Sequence, residues 1–255
     1  MLAFIVPIKS KRIAKSWDYV SRLFERTLRS LCAQTSREFK VIVVCHELPA
    51  ITFDHPAVSY IEADWEPPPI SEFNALLKDK GRKLAAGISA ARRFAPTHAM
   101  GVDADDCVSN RLAGFVRENP DRHGWFFETG YLHRDGSTRI FLKQRDFYHW
   151  CGTCAIVRFD WMSADPAPDG GEPVSFGGSS MRRKMIKRGI ALDPLPFPGA
   201  VYIGTKGGEG TEARIPLSWH LQRYPKGALR PARKLFHHWF HSMPITPEIA
   251  AEFGL

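Results

Sequence analysis

Two short apolar runs constrain this chain more than anything else in it: Leu2-Ala-Phe-Ile-Val-Pro-Ile8 and Phe39-Lys-Val-Ile-Val-Val-Cys45, the second interrupted only by Lys40. Neither alternates apolar with polar residues, so each reads as a strand buried on both faces, as in a parallel sheet. Parallel neighbours need a long crossover, and the residues between the two runs supply one. From 16 to 34 apolar side chains recur at Trp17, Val20, Phe24, Leu28 and Leu31, with Leu23 and Thr27 beside them and charges opposite. That spacing predicts an amphipathic helix. Residues 58–61 predict a third, shorter strand, and 65–69 a proline-rich loop. Residues 71–94 predict a helix with its weak point at Gly81, carrying the basic cluster Lys78, Lys80, Arg82 and Lys83, and 98–102 predict a fourth strand. Strand, helix, strand, strand, helix, strand implies an α/β fold with a mostly parallel central sheet and helices on both faces. Ligands of such sheets bind beyond the carboxyl ends of the strands. Pro7, Ile8 and Lys9, His46 and Glu47, Asp64, and Asp103 to Asp106 stand there.

The fourth strand closes on Val102-Asp-Ala-Asp-Asp106. Carboxylates this close repel one another unless something cationic neutralises them. A divalent ion is the economical answer, and hard oxygen donors suit Mg²⁺ or Mn²⁺, which keep positions open for a substrate's phosphates. If the strand continues, Asp103 and Asp105 share one face; if it turns, the carboxylates fan around one point. The alternative is a solvated acidic turn capping the next helix.

The second half is less regular. Residues 125–132 and 138–142, joined by His133-Arg-Asp-Gly136, predict a hairpin turning at Asp135-Gly136, and 152–159 predict another strand. Residues 165–178 are rich in Pro and Gly and read as a loop, and 179–188 read as a basic helix. Gly204-Thr-Lys-Gly-Gly-Glu-Gly210 lacks the spacing of a phosphate-binding P-loop. There are no internal repeats.

The 255 residues are 44% hydrophobic and 12% aromatic, enough for a real core and inconsistent with a disordered chain. A net charge of +8 favours anionic partners: nucleoside diphosphates, nucleic acid or an anionic membrane surface. The five cysteines are an odd number on apolar segments, which argues against a disulfide framework. Cys151-x-x-Cys154 has no second pair to complete a zinc site, so buried thiols are the expectation. The opening run is too short and lacks the basic start of a signal peptide, and no stretch reaches membrane-spanning length. A cytoplasmic protein is therefore expected. Residues 230–241 mix Arg230, Arg233 and Lys234 with Leu235, Phe236, Trp239 and Phe240. They suit either a terminal helix packed on its own domain or peripheral contact with a membrane surface.

On these residues the chain resembles the GT-A glycosyltransferases, most closely their family-2-like group. The resemblance covers roughly residues 1–160: a first strand ending in Val6-Pro7, an amphipathic helix, the strand Val41-Ile-Val-Val44, a basic helix, and a strand closing on a DXD-like Asp103-Ala104-Asp105. It implies a single GT-A-like domain over 1–255, with a nucleotide-sugar half at 1–110 and an acceptor-side half at 111–255. It also implies a metal-dependent transferase using Mn²⁺ or Mg²⁺ and a UDP-sugar, with an unknown acceptor, a glycan or a lipid-linked molecule, and no nucleic-acid partner. Carried over residue by residue, Asp103 would contact the ribose or the metal shell and Asp105 would ligate the metal. Pro7, Ile8 and Lys9 would line the nucleoside pocket, Arg82 and Lys83 would lie near base and ribose, and Gly152 and Thr153 near the acceptor strand. His220 would be a third metal ligand, as in several metal-dependent members of the fold, the alternative being a core or surface histidine. The glycine loop, from its own residues, reads either as a lid whose Lys206 closes over the diphosphate or as an ordinary surface loop. The chain departs from the family where Cys45-His46-Glu47 replaces the usual Asp-rich ending, which makes Glu47 the candidate base-reading carboxylate. The family's Glu-Asp base motif is not evident, and Asp169 and Glu172 become the candidate bases, with Asp165 nearby. A nucleotidyltransferase is the enzymatic alternative, although Val6-Pro-Ile-Lys-Ser10 lacks the glycine-rich loop expected there. A non-catalytic nucleotide-binding module is the other.

Overall fold

A computed structural model describes residues 1–69, 72–163, 167–168, 174–175, 180–204 and 242–255. Strand β1 (Leu2–Pro7) lies inside a seven-stranded sheet, parallel to β2 (Phe39–Cys45) on one side and to β4 (His98–Gly101) on the other. β3 (Val58–Glu62) extends the parallel run beyond β2. Past β4, the strand β9 (Ala155–Arg158) runs antiparallel both to β4 and to β6 (Gly124–Phe126), and β10 (Asp193–Pro194) closes the edge parallel to β6. The α/β architecture with a mostly parallel central sheet is the one the apolar runs predict.

The alternation of side chains explains why β1 contains no polar residue. Leu2, Phe4 and Val6 pack with Val20, Phe24, Leu28 and Leu31 of α1 (Trp17–Cys32), whereas Ala3 and Ile5 pack with Leu84, Ile88 and Ala91 of α2 (Phe73–Ala91). One helix thus covers each face, and each fully buried Leu or Ile contributes about 1.5–3 kcal/mol. The Ser16 hydroxyl caps α1 by accepting the Tyr19 N–H at 3.2 Å. α2 runs unbroken through Gly81, around which space is open. Gly87 is the glycine this helix needs: a Cβ there would lie 2.3 Å from Ile5 Cγ2, so its absence lets α2 settle onto β1.

A second, five-stranded sheet has the order β12-β8-β7-β11-β5. Its members are β5 (Cys107–Val108), β7 (Gly130–Arg134), β8 (Arg139–Lys143), β11 (Ala200–Gly204) and β12 (Met243–Pro244). β7 and β8 form the expected hairpin, with Gly136 at φ 76° in the turn. Its first strand is shorter than 125–132, however. Trp125 and Phe126 belong to β6 and pair with β9 in the main sheet, so this apolar stretch changes sheets near Phe127. The C-terminal helix Pro247–Phe253, capped by Thr246, lays Ile249 and Phe253 on Cys107, Tyr131, Ile140, Val201 and Ile203. The basic helix appears as Met181–Lys187. No helix among the described residues is long and apolar enough to cross a membrane.

Sheet order positions the site. From β1 the chain builds outward through β2 and β3, then returns to the other side of β1 as β4. The order reverses between β1 and β4, and a crevice opens beyond their carboxyl ends at such a reversal.

Candidate functional site

The crevice is a cleft of about 170 Å³. Its floor is the end of β1, where Pro7 and Ile8 are buried and Lys9 half-buried, facing Asp103, Ala104 and Asp105 after β4. One wall is apolar, from Ile13, Val20 and Leu23 near α1 and from Phe73, Leu76 and Leu77 in the first turns of α2. The next turns of α2 add Asp79, Lys80 and Lys83.

The acidic segment turns rather than continuing as a strand. The Asp106 N–H donates to the Asp103 carbonyl at 3.1 Å, and the Asp103 N–H donates to Thr153 Oγ1 at 2.9 Å. The three carboxylates are consequently unlike. Asp106 points inward and accepts the Thr153 hydroxyl at 2.7 Å, the Cys151 thiol at 3.1 Å and the Ile203 N–H at 3.2 Å. Burial and then the charges of Asp105 and Asp103 push its carboxyl well above the usual range. Asp103 and Asp105 face the cleft. Burial and the charge of Asp103 raise Asp105 to about 6, against the pull of Lys80 and Lys9. Asp103 pairs through Oδ1 with the Lys80 ammonium. Desolvation works against that ammonium, but Asp103, with Asp105 and Asp106 behind it, outweighs the penalty and raises the lysine. The other side of Asp103 is hemmed in by Gly152, where a Cβ would stand 2.5 Å from Oδ2.

A second polar cluster, around Asp79 and Lys83 of α2, lines the same cleft. Asp79 accepts the Lys83 ammonium at 2.7 Å and the Trp65 indole N–H at 2.9 Å, and its Oδ1 lies 3.1 Å from His46 Nε2. Burial raises the Asp79 carboxyl, but these donors outweigh burial and hold it below its ordinary value. Lys83 is 1% exposed and also donates to the Ile8 carbonyl at 2.7 Å. Desolvation dominates there and lowers the lysine, despite Asp79. The ammonium thereby ties α2 to the end of β1. Glu47 accepts the Ser10 hydroxyl at 2.8 Å and the Lys11 N–H at 2.9 Å, so it secures the loop after β1. The Arg82 guanidinium stacks 4.3 Å from the centre of the Trp65 ring.

Of the residues singled out in the sequence, Pro7, Ile8, Lys9, Lys83, Asp103 and Asp105 meet around one cleft. Glu47 and Arg82 sit beside it as supports for neighbouring loops. Asp165, Asp169, Glu172, Lys206 and His220 lie outside the described residues, as do residues 205–210 of the glycine loop and the 230–241 segment. Sequence reasoning missed Lys80 and Asp79 as parts of the site. The spacing of Asp79 and Lys83, one helical turn apart, was a readable signal, whereas nothing local links Lys80 to Asp103. Cys151 and Cys154 are buried free thiols.

The donor chemistry at Asp103 and Asp105 fits a hard divalent cation. Mg²⁺ and similar ions are held by one or two carboxylates, with the rest of the shell left to water and to a ligand's phosphates. Burial and then the charge of Asp103 raise Asp105, and a cation would relieve the second of these. Among the described residues no group of three His, Cys, Asp or Glu side chains gathers around one point, so these residues offer two carboxylates rather than a closed cage.

No protein-family model and no curated protein sequence matches the chain. Its structure is similar to that of S. aureus TarS residues 1–349, with a TM-score of 0.45 and 13% identity over 83% of this chain and 62% of that one. For the longer S. aureus TarS structure the TM-score is 0.36 and the identity 12%, over 83% of this chain and 38% of that one. For HddC from Yersinia pseudotuberculosis complexed with GMP-PN the values are 0.29 and 12%, over 81% and 91%. The chain thus spans 62% and 38% of the two TarS structures.

Proposed function

We propose that this chain is a metal-dependent glycosyltransferase of the GT-A type, moving a sugar from a nucleoside diphosphate, a UDP-sugar, to an acceptor hydroxyl on a glycan or lipid-linked molecule. The observation that carries the reading is the convergence of Asp103 and Asp105 with Pro7, Ile8 and Lys9 where the sheet order reverses. An apolar wall beside a charged floor suits a ligand with a flat, weakly polar end and a polyanionic end, which describes a nucleotide. Ile8, Val20, Leu23 and Phe73 would flank the base, while Lys9 and Lys80 would face the phosphates. Lys83 and Glu47 would keep the end of β1 and its following loop in place through their bonds to Ile8, Ser10 and Lys11. Mn²⁺ or Mg²⁺, held by Asp103 and Asp105 with His220 as a third ligand, would supply Lewis-acid neutralisation of the departing diphosphate. Asp169 or Glu172 is proposed to take the acceptor's proton as its oxygen bonds to the sugar carbon and the sugar–phosphate bond breaks. Lys206 is proposed to close over the diphosphate.

Isothermal titration of UDP tests the reading. We expect UDP affinity to fall by at least about a hundredfold when EDTA replaces Mn²⁺. Asp105→Ala should show the weak affinity under both conditions. Equal UDP affinity with Mn²⁺ and with EDTA in the wild-type protein would sink the metal-bridged donor site.

A further inference from the structure

Two lysines one turn apart on α2 behave differently. The Lys83 ammonium is buried and bonded to both Ile8 and Asp79, so it cannot leave without stranding two buried groups. The Lys80 side chain is 40% exposed, and among the described residues its ammonium has one bonded partner, Asp103. That partner is one of the two carboxylates a divalent cation would need. An ammonium and a metal ion repel each other and cannot share the Oδ1 of Asp103.

We infer that Lys80 is a displaceable counter-ion: it occupies Asp103 until a divalent cation and a nucleoside diphosphate arrive, then yields the carboxylate and pairs with the diphosphate oxygens. This inference rests on the donor-binding reading above. Asp103 and Asp105 bring two carboxylates to the cleft, and the Lys80 ammonium is bonded to Asp103. A divalent ion matches that pair better than one ammonium does. The four-carbon stem of a lysine lets its head swing without backbone movement, and the released head stays in the cleft that Lys9 also lines. Metal alone must evict Lys80 and should bind weakly. Metal and diphosphate together give the evicted ammonium a new partner, so each should strengthen the other.

Lys80→Met keeps most of the stem and removes the charge; Lys80→Arg keeps a cation. Mn²⁺ binding without nucleotide is read by electron paramagnetic resonance, and UDP binding at saturating Mn²⁺ by calorimetry, with circular dichroism and melting as folding checks. In Lys80→Met, Mn²⁺ alone should bind about tenfold tighter and UDP about tenfold weaker. Lys80→Arg should keep wild-type weak Mn²⁺ binding. Opposite shifts on two ligands are not what a loosened structure produces. Unchanged or weaker Mn²⁺ binding in Lys80→Met overturns the inference, and so does unchanged UDP affinity. Wild-type protein that binds both ligands, with Lys80→Met losing both, overturns the role of Lys80 alone. Wild-type protein that binds neither overturns the donor site and this inference with it.

Discussion

The two sheets of this molecule divide the work differently. In the main sheet β1 and β2 are sealed by helices on both faces, and their ends open onto the cleft that gathers Lys9, Lys80, Asp103 and Asp105. The second sheet is made of short strands backed by the C-terminal helix and, among the described residues, contributes none to that lining. Its contact with the site is indirect. The chain leaves the main sheet at Gly101 and enters the second at Cys107, so the acidic turn is the passage between them. Ile203 of β11 reaches back to hold Asp106 through its N–H. Chemistry gathers where buried strands end, and precision comes from a neighbouring layer that fixes the turn between them.

The largest effect expected from disturbing the first region is at Asp79. Asp79→Ala leaves the Lys83 ammonium buried without its counter-ion, which should reduce stability by about 3–5 kcal/mol in urea denaturation. The carboxyl of Asp79 lies below its unfolded value, so its contribution is complete above about pH 4 and disappears as pH falls through the folded value. The acid limb of the stability–pH profile should therefore flatten in Asp79→Ala. An unchanged limb would mean that the cluster is not what fastens α2 to β1.

A smaller effect tests the brace on the acidic turn. In Gly152→Ala the new Cβ would press on Asp103 Oδ2, a side-chain tip that can move only by disturbing the pair with Lys80. We expect about tenfold weaker UDP binding in Mn²⁺, with melting within about 3 °C of wild type. A large loss of stability with normal binding would show that Gly152 serves packing alone.

The smallest effect is expected at the thiols. Cys151→Ser preserves a donor to Asp106, and Cys154→Ala removes a packed sulfur, so the double variant should bind UDP within about twofold of wild type. Metal analysis of the wild-type protein should find no zinc. Stoichiometric zinc lost together with the fold in the double variant would make this pair a structural site and give the second half a metal centre of its own.

Much of the first region was legible because its signals are local. Leu2 to Ile8 contains no polar residue, and only a strand covered on both faces can hide such a run. The second region was harder to read. Trp125 and Phe126 look continuous with 130–132, yet they pair with β9 while Gly130–Arg134 pairs with β8 and β11, and nothing in the apolar pattern marks the change of sheet. Within the site, the bonds of Glu47 to Ser10 and Lys11 were not legible, because a carboxylate beside a tight loop finds its N–H and hydroxyl partners only once that loop is folded.

By itself the sequence determined that buried parallel strands form here and that one of them ends in carboxylates, since hydrophobic pattern and charge are properties of neighbours along the chain. Tertiary structure decided what each carboxylate does. Asp106 turns inward because Thr153, 47 residues away, and Ile203, 97 residues away, bring donors to it. Asp103 remains at the cleft with Lys80, 23 residues back, as its counter-ion. Those partners are set by how α2, β9 and β11 pack around the end of β4, and desolvation in that packed turn makes identical side chains unequal.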